Sequence, residues 1–240
     1  MKDTIYRSVK NPIKPFEFNE EVADVFPDMI LRSVPGYPLT ISMISVMADK
    51  YYQSGSNIYD LGCSLGTASI AIQKVLKDRK SKIIAVDNSE AMIKSCCKNN
   101  IIENDENKID FILEDILNTN IFNASVVIMN FSLQFIPLEN RKKLIQRIFD
   151  GLLPGGVFIL SEKIHCDNKD ENDVMSDLHY HMKEINGYEK LEISSKRKSL
   201  EDVLIPENID NHLERLRQVG FKDSFIWLKC FNFASFIAFK

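Results

Sequence analysis

The run Asn57-Ile58-Tyr59-Asp60-Leu61-Gly62-Cys63-Ser64-Leu65-Gly66, followed at once by Thr67-Ala68-Ser69-Ile70-Ala71, constrains the fold more than any other stretch of the chain. An apolar β-type run ends in an acid and two closely spaced glycines, then passes into a helix-compatible segment, which is how a nucleotide-binding β-α-β unit opens. Glycine matters in that turn because, without a Cβ, it takes positive φ and lets a ligand lie against the backbone. The pattern is G-x-S-x-G rather than G-x-G-x-x-G, so the rest of the unit has to support it. Asp87 closes the next apolar run, close to the spacing of about 20 residues expected of a ribose-binding acid.

The remainder of the chain alternates in the same way. Apolar β-formers predict strands over 57–61, 82–88, 109–113, 124–131 and 157–162, with helices over 39–52, 65–76 and 141–153 and one starting at Ser89. The helix over 141–153 is expected to stop at Pro154-Gly155-Gly156. Such alternation implies an α/β fold with a mainly parallel sheet and right-handed crossovers, whose ligands bind at the carboxyl ends of the strands. Asp60, Gly62, Asp87, Asp115 and Asn130 all fall on that edge. Before the first strand, residues 1–56 form a cover of short helix and irregular chain broken at Pro27 and again at Val34-Pro35-Gly36-Tyr37-Pro38. After the fifth strand, a charged stretch over 163–205 reads as an insertion. A helix over 209–219 and runs at 225–230 and 235–239 follow, the last two predicting a terminal antiparallel hairpin. One domain over 1–240 is expected, with no internal repeat.

The charge balance, 30 basic against 34 acidic residues for a net charge of −4, argues against nucleic acid gripped unaided and favours small-molecule substrates. Five cysteines (Cys63, Cys96, Cys97, Cys166 and Cys230) contain no C-x-x-C pair, so neither a disulfide framework nor a zinc knuckle is expected. With no signal-like start and no apolar run of membrane-spanning length, the expectation is a cytoplasmic protein.

Asp87 can accept hydrogen bonds from both hydroxyls of a ribose; the competing reading is a helix-capping acid. Asp115 and Ile116 suit an adenine, the carboxylate near the exocyclic amine and the aliphatic chain on the ring, although Ile116 serves equally as core. Asn130 donates and accepts, as a zwitterionic amino-acid moiety needs, or caps a loop. No lysine follows Gly66, which favours a nucleoside without polyphosphate. Tyr37, in a turn stiffened by Gly36 and Pro38, can be aimed at a ligand. Ser64 also resembles a hydrolase nucleophile elbow with His212 as its partner, but no H-G-G-G-like segment precedes it and Asp87 is then unexplained. Cys63 has no neighbouring histidine in sequence and reads as a small buried thiol. His179 and His181, two apart on a helix, point to different faces and do not suggest zinc. Lys196-Arg197-Lys198 is either a solvated charge run or a carboxylate-binding one.

The glycine turn, Asp87, Asp115 and Leu152-Leu153-Pro154-Gly155-Gly156 resemble the class I S-adenosylmethionine-dependent methyltransferases. Val25-Phe26-Pro27-Asp28-Met29-Ile30, Arg32-Ser33-Val34-Pro35-Gly36-Tyr37, Ile128-Met129-Asn130-Phe131, Leu160-Ser161-Glu162-Lys163, Asn186-Gly187-Tyr188 and Trp227-Leu228-Lys229-Cys230-Phe231-Asn232-Phe233 narrow this to the carboxy-S-adenosyl-L-methionine synthase family, over nearly the whole chain. The resemblance implies a Rossmann-like fold and a reaction in which a carboxyl group derived from prephenate joins the methyl carbon of S-adenosyl-L-methionine, releasing phenylpyruvate and water. In the implied mechanism prephenate loses carbon dioxide as its ring aromatises and a sulfonium ylide captures it. The product, carboxy-S-adenosyl-L-methionine, then serves a tRNA carboxymethyltransferase acting on a wobble uridine. Ligand contacts are implied at Tyr37, Gly62, Cys63, Ser64, Asp87, Asn88, Asp115, Ile116, Asn130 and Arg197, with Tyr37 and Arg197 on the extra carboxylate and Arg197 offered by the second subunit of a homodimer. No metal and no catalytic side chain is implied. Pro38-Leu39-Thr40 after the tyrosine and Lys198 after the arginine depart from the family pattern. Ordinary methyl transfer to a small molecule, or ligand binding without catalysis in support of a tRNA-modifying partner, are the alternative functions.

Overall fold

The computed structural model describes residues 1–8, 12–77, 79–99 and 108–240, so residues 9–11 of the expected cover lie outside it. Seven strands form one sheet in the order β3-β2-β1-β4-β5-β7-β6. β1 (Asn57–Leu61), β2 (Lys82–Asp87), β3 (Ile109–Leu113), β4 (Ala124–Asn130) and β5 (Leu152–Lys163) run parallel, as expected from their continuous apolar character. β6 (Asp223–Cys230) and β7 (Phe233–Phe239) add the antiparallel hairpin. The chain moves outward from β1 to β3, then returns to lay β4 on the other side of β1, so the order reverses between β1 and β4. Ligands of such sheets bind at that switch point.

Alternation along the strands sorts the core into two layers. Ile58, Ile83, Ile128 and Ile159 face α2 (Tyr37–Tyr51) and α3 (Thr67–Val75), packing on Ile41, Ile44 and Ile72. On the other face Leu61, Val86, Met129 and Leu160 meet α5 (Leu138–Gly151) and α8 (Ile209–Val219) through Leu144, Ile148 and Leu216. Both layers are mainly apolar where they touch the sheet, with Ser69, Gln73, Arg141 and His212 as buried polar exceptions on the helices.

Three expectations need correction. Pro27 does not break the N-terminal segment: α1 (Glu20–Ser33) passes through it, capped by the Asn19 side chain on the Val22 amide. Proline in a helix interior costs about 3 kcal/mol, and the burial of Val22, Ala23, Val25 and Met29 outweighs that here. The Pro154-Gly155-Gly156 turn does not end α5, which stops at Gly151, where a Cβ would come within 2.3 Å of the Ile121 carbonyl oxygen. Instead β5 begins at Leu152 and absorbs the turn as an irregularity in its pairing with β4. The hairpin is tighter than predicted, with Phe231 and Asn232 alone between its strands. The 163–205 stretch contains two helices, α6 (Lys169–Ile185) and α7 (Lys190–Ser199), the latter opened by a reciprocal capping box between Glu189 and Glu192.

Candidate functional site

A cavity of about 470 Å³ opens at the carboxyl ends of β1, β2 and β4. Nine of the sequence-predicted residues line it: Tyr37, Gly62, Cys63, Ser64, Asp87, Asn88, Asp115, Ile116 and Asn130. Arg197 does not; it is exposed on α7, its guanidinium 5.8 Å from the ring of Tyr180.

The loop after β1 is built for close approach. The Gly62 and Cys63 amides both donate to the Val86 carbonyl, at 2.8 and 2.9 Å, and the Gly66 amide donates back to the Cys63 carbonyl. Gly62 has φ 80° and an added Cβ would sit 2.5 Å from Cβ of Ser132, so no other residue fits. Ser64, not a glycine, also takes positive φ, at 51°. What holds it there is Asp87, whose Oδ2 accepts the Ser64 amide at 2.8 Å while Oδ1 accepts the Ser89 amide at 2.9 Å. Asp87 therefore latches the loop, and Ser89, whose Oγ accepts the Met92 amide, caps α4 (Glu90–Asn99). Each oxygen of Asp87, which lines the cavity, has acceptor capacity beyond its one amide bond. Burial raises the pKa of this carboxyl against those two amide bonds.

Asp60 is a further carboxylate on the cavity wall, buried and bonded by the Ser69 hydroxyl at 2.6 Å; burial pushes it up to about 6. Asn130 ends β4 with Oδ1 buried and without a partner among the described residues, an acceptor waiting for a donor. Asp115 accepts the Leu117 amide at Oδ1, and Ile116, next in the chain, is buried on the cavity wall. Tyr37 stands in the first turn of α2 after Gly36 at φ 72°, with its ring on the cavity and its hydroxyl pushed up to about 12 by burial. The hydrolase alternative ends here: the Ser64 hydroxyl meets the Met92 sulfur, whereas His212 packs against Phe236 outside the cavity. Contact with Cys96, then burial, pushes the Cys63 thiol far up, so it stays neutral.

Sequence reasoning expected a cover over 1–56 without naming its site residues, and it missed a second part of the site. The cover supplies an aromatic lid: Phe16, Phe18 and Phe26 line the cavity with Phe135, Phe18 meeting the other three edge-on at 5.0 to 6.1 Å. The second is a cationic end. Lys163 at the end of β5, Lys183 on α6 and Lys196 on α7 all line the cavity, with His179 beside them. Burial, reinforced by Lys196 and Lys163, brings Lys183 down to about 7, and burial brings Lys196 down to about 8 against the pull of Asp3. His179 donates from Nε2 to the Ser33 carbonyl at 2.8 Å and is held neutral, down at about 3, by burial and the lysines. The cavity is thus acidic along β1 to β3 and basic beyond β4.

Glu162 props this wall from behind. Its Oε1 accepts the Leu133 amide at 3.0 Å, fixing the short 3₁₀ turn Leu133–Phe135, while Oε2 is buried without a partner. Burial pushes its carboxyl up to about 8. A carboxyl that holds its proton in the folded chain and not in the unfolded one makes stability fall as pH rises from about 4.5 to about 8. Glu162→Gln removes that dependence, so its stability relative to the parent protein should rise between pH 5 and pH 9. Urea denaturation of both proteins across that range checks it, and a constant difference would reject it.

Residues 58–156 match the family model of a methyltransferase domain. Over 100% of its length the chain is 47% identical to the carboxy-S-adenosyl-L-methionine synthase of Hahella chejuensis, covering 98% of that protein. It is 43% identical to the protein of the same name from Yersinia enterocolitica, over 100% of this chain and 90% of that one. In fold it is similar to an O-methyltransferase family protein from Burkholderia thailandensis, with a TM-score of 0.65 at 14% identity, over 96% of this chain and 65% of that chain.

Proposed function

The chain belongs to the carboxy-S-adenosyl-L-methionine synthase family, and from that membership we propose that it joins a carboxyl group from prephenate to the methyl carbon of S-adenosyl-L-methionine. The products are carboxy-S-adenosyl-L-methionine, phenylpyruvate and water. The atoms balance: the carboxyl and hydroxyl groups leave the prephenate ring as it aromatises, a C–C bond forms at the methyl carbon, and the methyl proton leaves with the hydroxyl as water.

The observation that carries this reading is the two-ended charge of one cavity. Its acidic end suits S-adenosyl-L-methionine, which brings a sulfonium and an ammonium. Asn130 Oδ1 is an unpaired acceptor, and Gly62 leaves the backbone open to a ligand where a Cβ would fill the space. Asp87 would take the ribose hydroxyls, Asp115 and Ile116 the adenine, and Asp60 with Asn130 the amino-acid end. The aromatic lid excludes water, and a dry site with fixed charges suits a reaction in which the protein chiefly places reactants and stabilises charge.

Arg197 supports a homodimer in this reading. It is exposed and does not line its own chain's cavity; its guanidinium is 5.8 Å from the ring of Tyr180 on α6, a helix that also exposes Val174, Leu178 and Ile185, so a second copy is the natural recipient of its charge. Arg197→Ala should cost carboxy-S-adenosyl-L-methionine roughly 2 to 5 kcal/mol of binding while S-adenosyl-L-methionine binding changes little. Equal weakening of both ligands in a titration would reject the assignment. The net charge of −4 fits an enzyme that hands its product to a separate cytoplasmic tRNA carboxymethyltransferase rather than holding tRNA.

Mass spectrometry after incubation with S-adenosyl-L-methionine and prephenate tests the reaction. The expected product exceeds S-adenosyl-L-methionine by one carbon dioxide. Demethylated ligand with a methylated acceptor would point instead to ordinary methyl transfer, and binding with no prephenate consumed would point to a non-catalytic partner.

A further inference from the structure

Lysine is almost never buried unless it is paired. Lys183 and Lys196 are 8% and 7% exposed, and among the described residues neither they nor Lys163 has a carboxylate at ion-pair distance. The acid whose charge bears most on Lys196 is Asp3, and both its oxygens are already used, Oδ2 by the Tyr188 hydroxyl and Oδ1 by the Ile5 amide. Lys196 itself reaches the Ser33 hydroxyl, at 3.5 Å, and lies 5.9 Å from the centre of the Tyr188 ring. Three lysine amines from β5, α6 and α7 thus line one end of a cavity with no carboxylate at ion-pair distance among the described residues, Asp3 acting on Lys183 and Lys196 only from further off. A partner with two negative charges is what would hold them all as ammonium groups.

The walls add shape. Phe131 and Phe233 line the same cavity, their rings 5.9 Å apart and edge-on, and His179 sits 5.0 Å from Phe233. Nδ1 of His179 is buried with no partner, and because Nε2 carries the proton it is an acceptor. This end of the cavity therefore offers three cations, apolar ring faces and one neutral acceptor.

We propose that Lys163, Lys183 and Lys196 form the subsite of the carboxyl donor, holding a ring-bearing dicarboxylate by its carboxylates with Phe131 and Phe233 against the ring and His179 available to its hydroxyl. The inference rests on the reaction proposed above and assigns the residues that select its second substrate. Carboxylates bound this way are fixed by charge-assisted bonds, which are short and strong when water is excluded. A monocarboxylate of the same ring size leaves a buried lysine unpaired, so the subsite discriminates against phenylpyruvate and favours its release.

The test is calorimetric titration of prephenate and of phenylpyruvate into protein saturated with S-adenosylhomocysteine, with KM for prephenate measured alongside. Lys183→Met and Lys196→Met keep side-chain volume while removing a buried charge, so both should fold, which thermal melts verify; Lys183→Arg is the conservative control. The parent protein should bind prephenate roughly tenfold or more tightly than phenylpyruvate, and each Met variant should lose roughly tenfold or more for prephenate. Binding of S-adenosyl-L-methionine should stay within about twofold, and Lys183→Arg should recover most of the loss. Unchanged prephenate affinity and KM in both Met variants would overturn the subsite while leaving the reaction standing. Parallel loss of S-adenosyl-L-methionine binding would reassign the lysines to that ligand's own carboxylate and overturn it too. Prephenate bound through these lysines, but with no carboxylated product from the parent protein, would instead uphold the subsite and reject the reaction.

Discussion

Replacing Asp87 with alanine is expected to weaken S-adenosyl-L-methionine binding by roughly 100-fold or more. A hydrogen bond to a charged group contributes about 1.5 to 3 kcal/mol, so two ribose hydroxyls on one carboxylate come to about 3 to 6 kcal/mol, a factor of 100 or more in affinity. The same substitution releases the Ser64 and Ser89 amides, which Asp87 accepts at 2.8 and 2.9 Å. Ser64 then loses the bond that keeps it at φ 51°, in the backbone region that non-glycine residues avoid. Two effects are therefore mixed, and Asp87→Asn separates them from the opposite direction. Its amide nitrogen must face either a backbone amide or a ribose hydroxyl, so it keeps at most half of the acceptor set. Calorimetric titration gives the affinity and a thermal melt gives the latch. A variant that melts early but binds as before would show that Asp87 is a loop latch alone and that the ribose is held elsewhere.

Asp87 was legible because its position is set by local rules: an apolar run, an acid, then Ser89 as a cap. The same holds for Gly62, Asp115 and Asn130, each placed by the end of a strand. Sequence also predicted that the sheet is mainly parallel, because strands buried on both faces must be continuously apolar. The cationic end was not legible for a related reason. A hydrophobic pattern finds what packs on a sheet, whereas Lys183, His179, Glu192 and Lys196 are polar residues that α6 and α7 bury. Lys196-Arg197-Lys198 reads as one basic run, yet a helix turns 100° per residue, so Lys196 enters the cavity while Arg197 and Lys198 stay exposed. The 179/183 spacing was the available signal, since residues four apart share a helix face. Pro27 misled in the opposite sense: a local breaker was overridden by packing around Val25 and Met29 that only the folded chain reveals.

Arg141→Ala is expected to destabilise the fold by about 3 to 5 kcal/mol, the range for breaking a buried charge pair from one side. Arg141 is fully buried in α5. Its guanidinium pairs with Glu207 and donates to the carbonyls of Ile136 at 2.9 Å, Ile205 at 2.8 Å and Gln134 at 3.3 Å. Those bonds tie α5 to the turn that carries Gln134 and Ile136 on the cavity wall and to the segment joining α7 to α8. Removing the side chain takes the guanidinium donor from the Ile136 and Ile205 carbonyls, while the Gln134 carbonyl keeps the Ile205 amide at 2.9 Å, and it takes from Glu162 the positive charge that partly offsets its burial. Glu207 keeps its second partner, Arg215, so the cost comes from the carbonyls and the void more than from a stranded carboxylate. Arg141→Met fills most of the void but donates no hydrogen bond, so it should recover only the packing part of the loss. With a urea m-value of about 1 to 3 kcal/mol per molar, the alanine midpoint should fall by at least about 1 M. Ligand affinity at low urea should fall as well, because the wall holding Gln134 and Ile136 loses its tether. A loss below about 1 kcal/mol would mean that water replaces the guanidinium at those carbonyls, and that the cavity wall is held by Glu162 and the 3₁₀ turn alone.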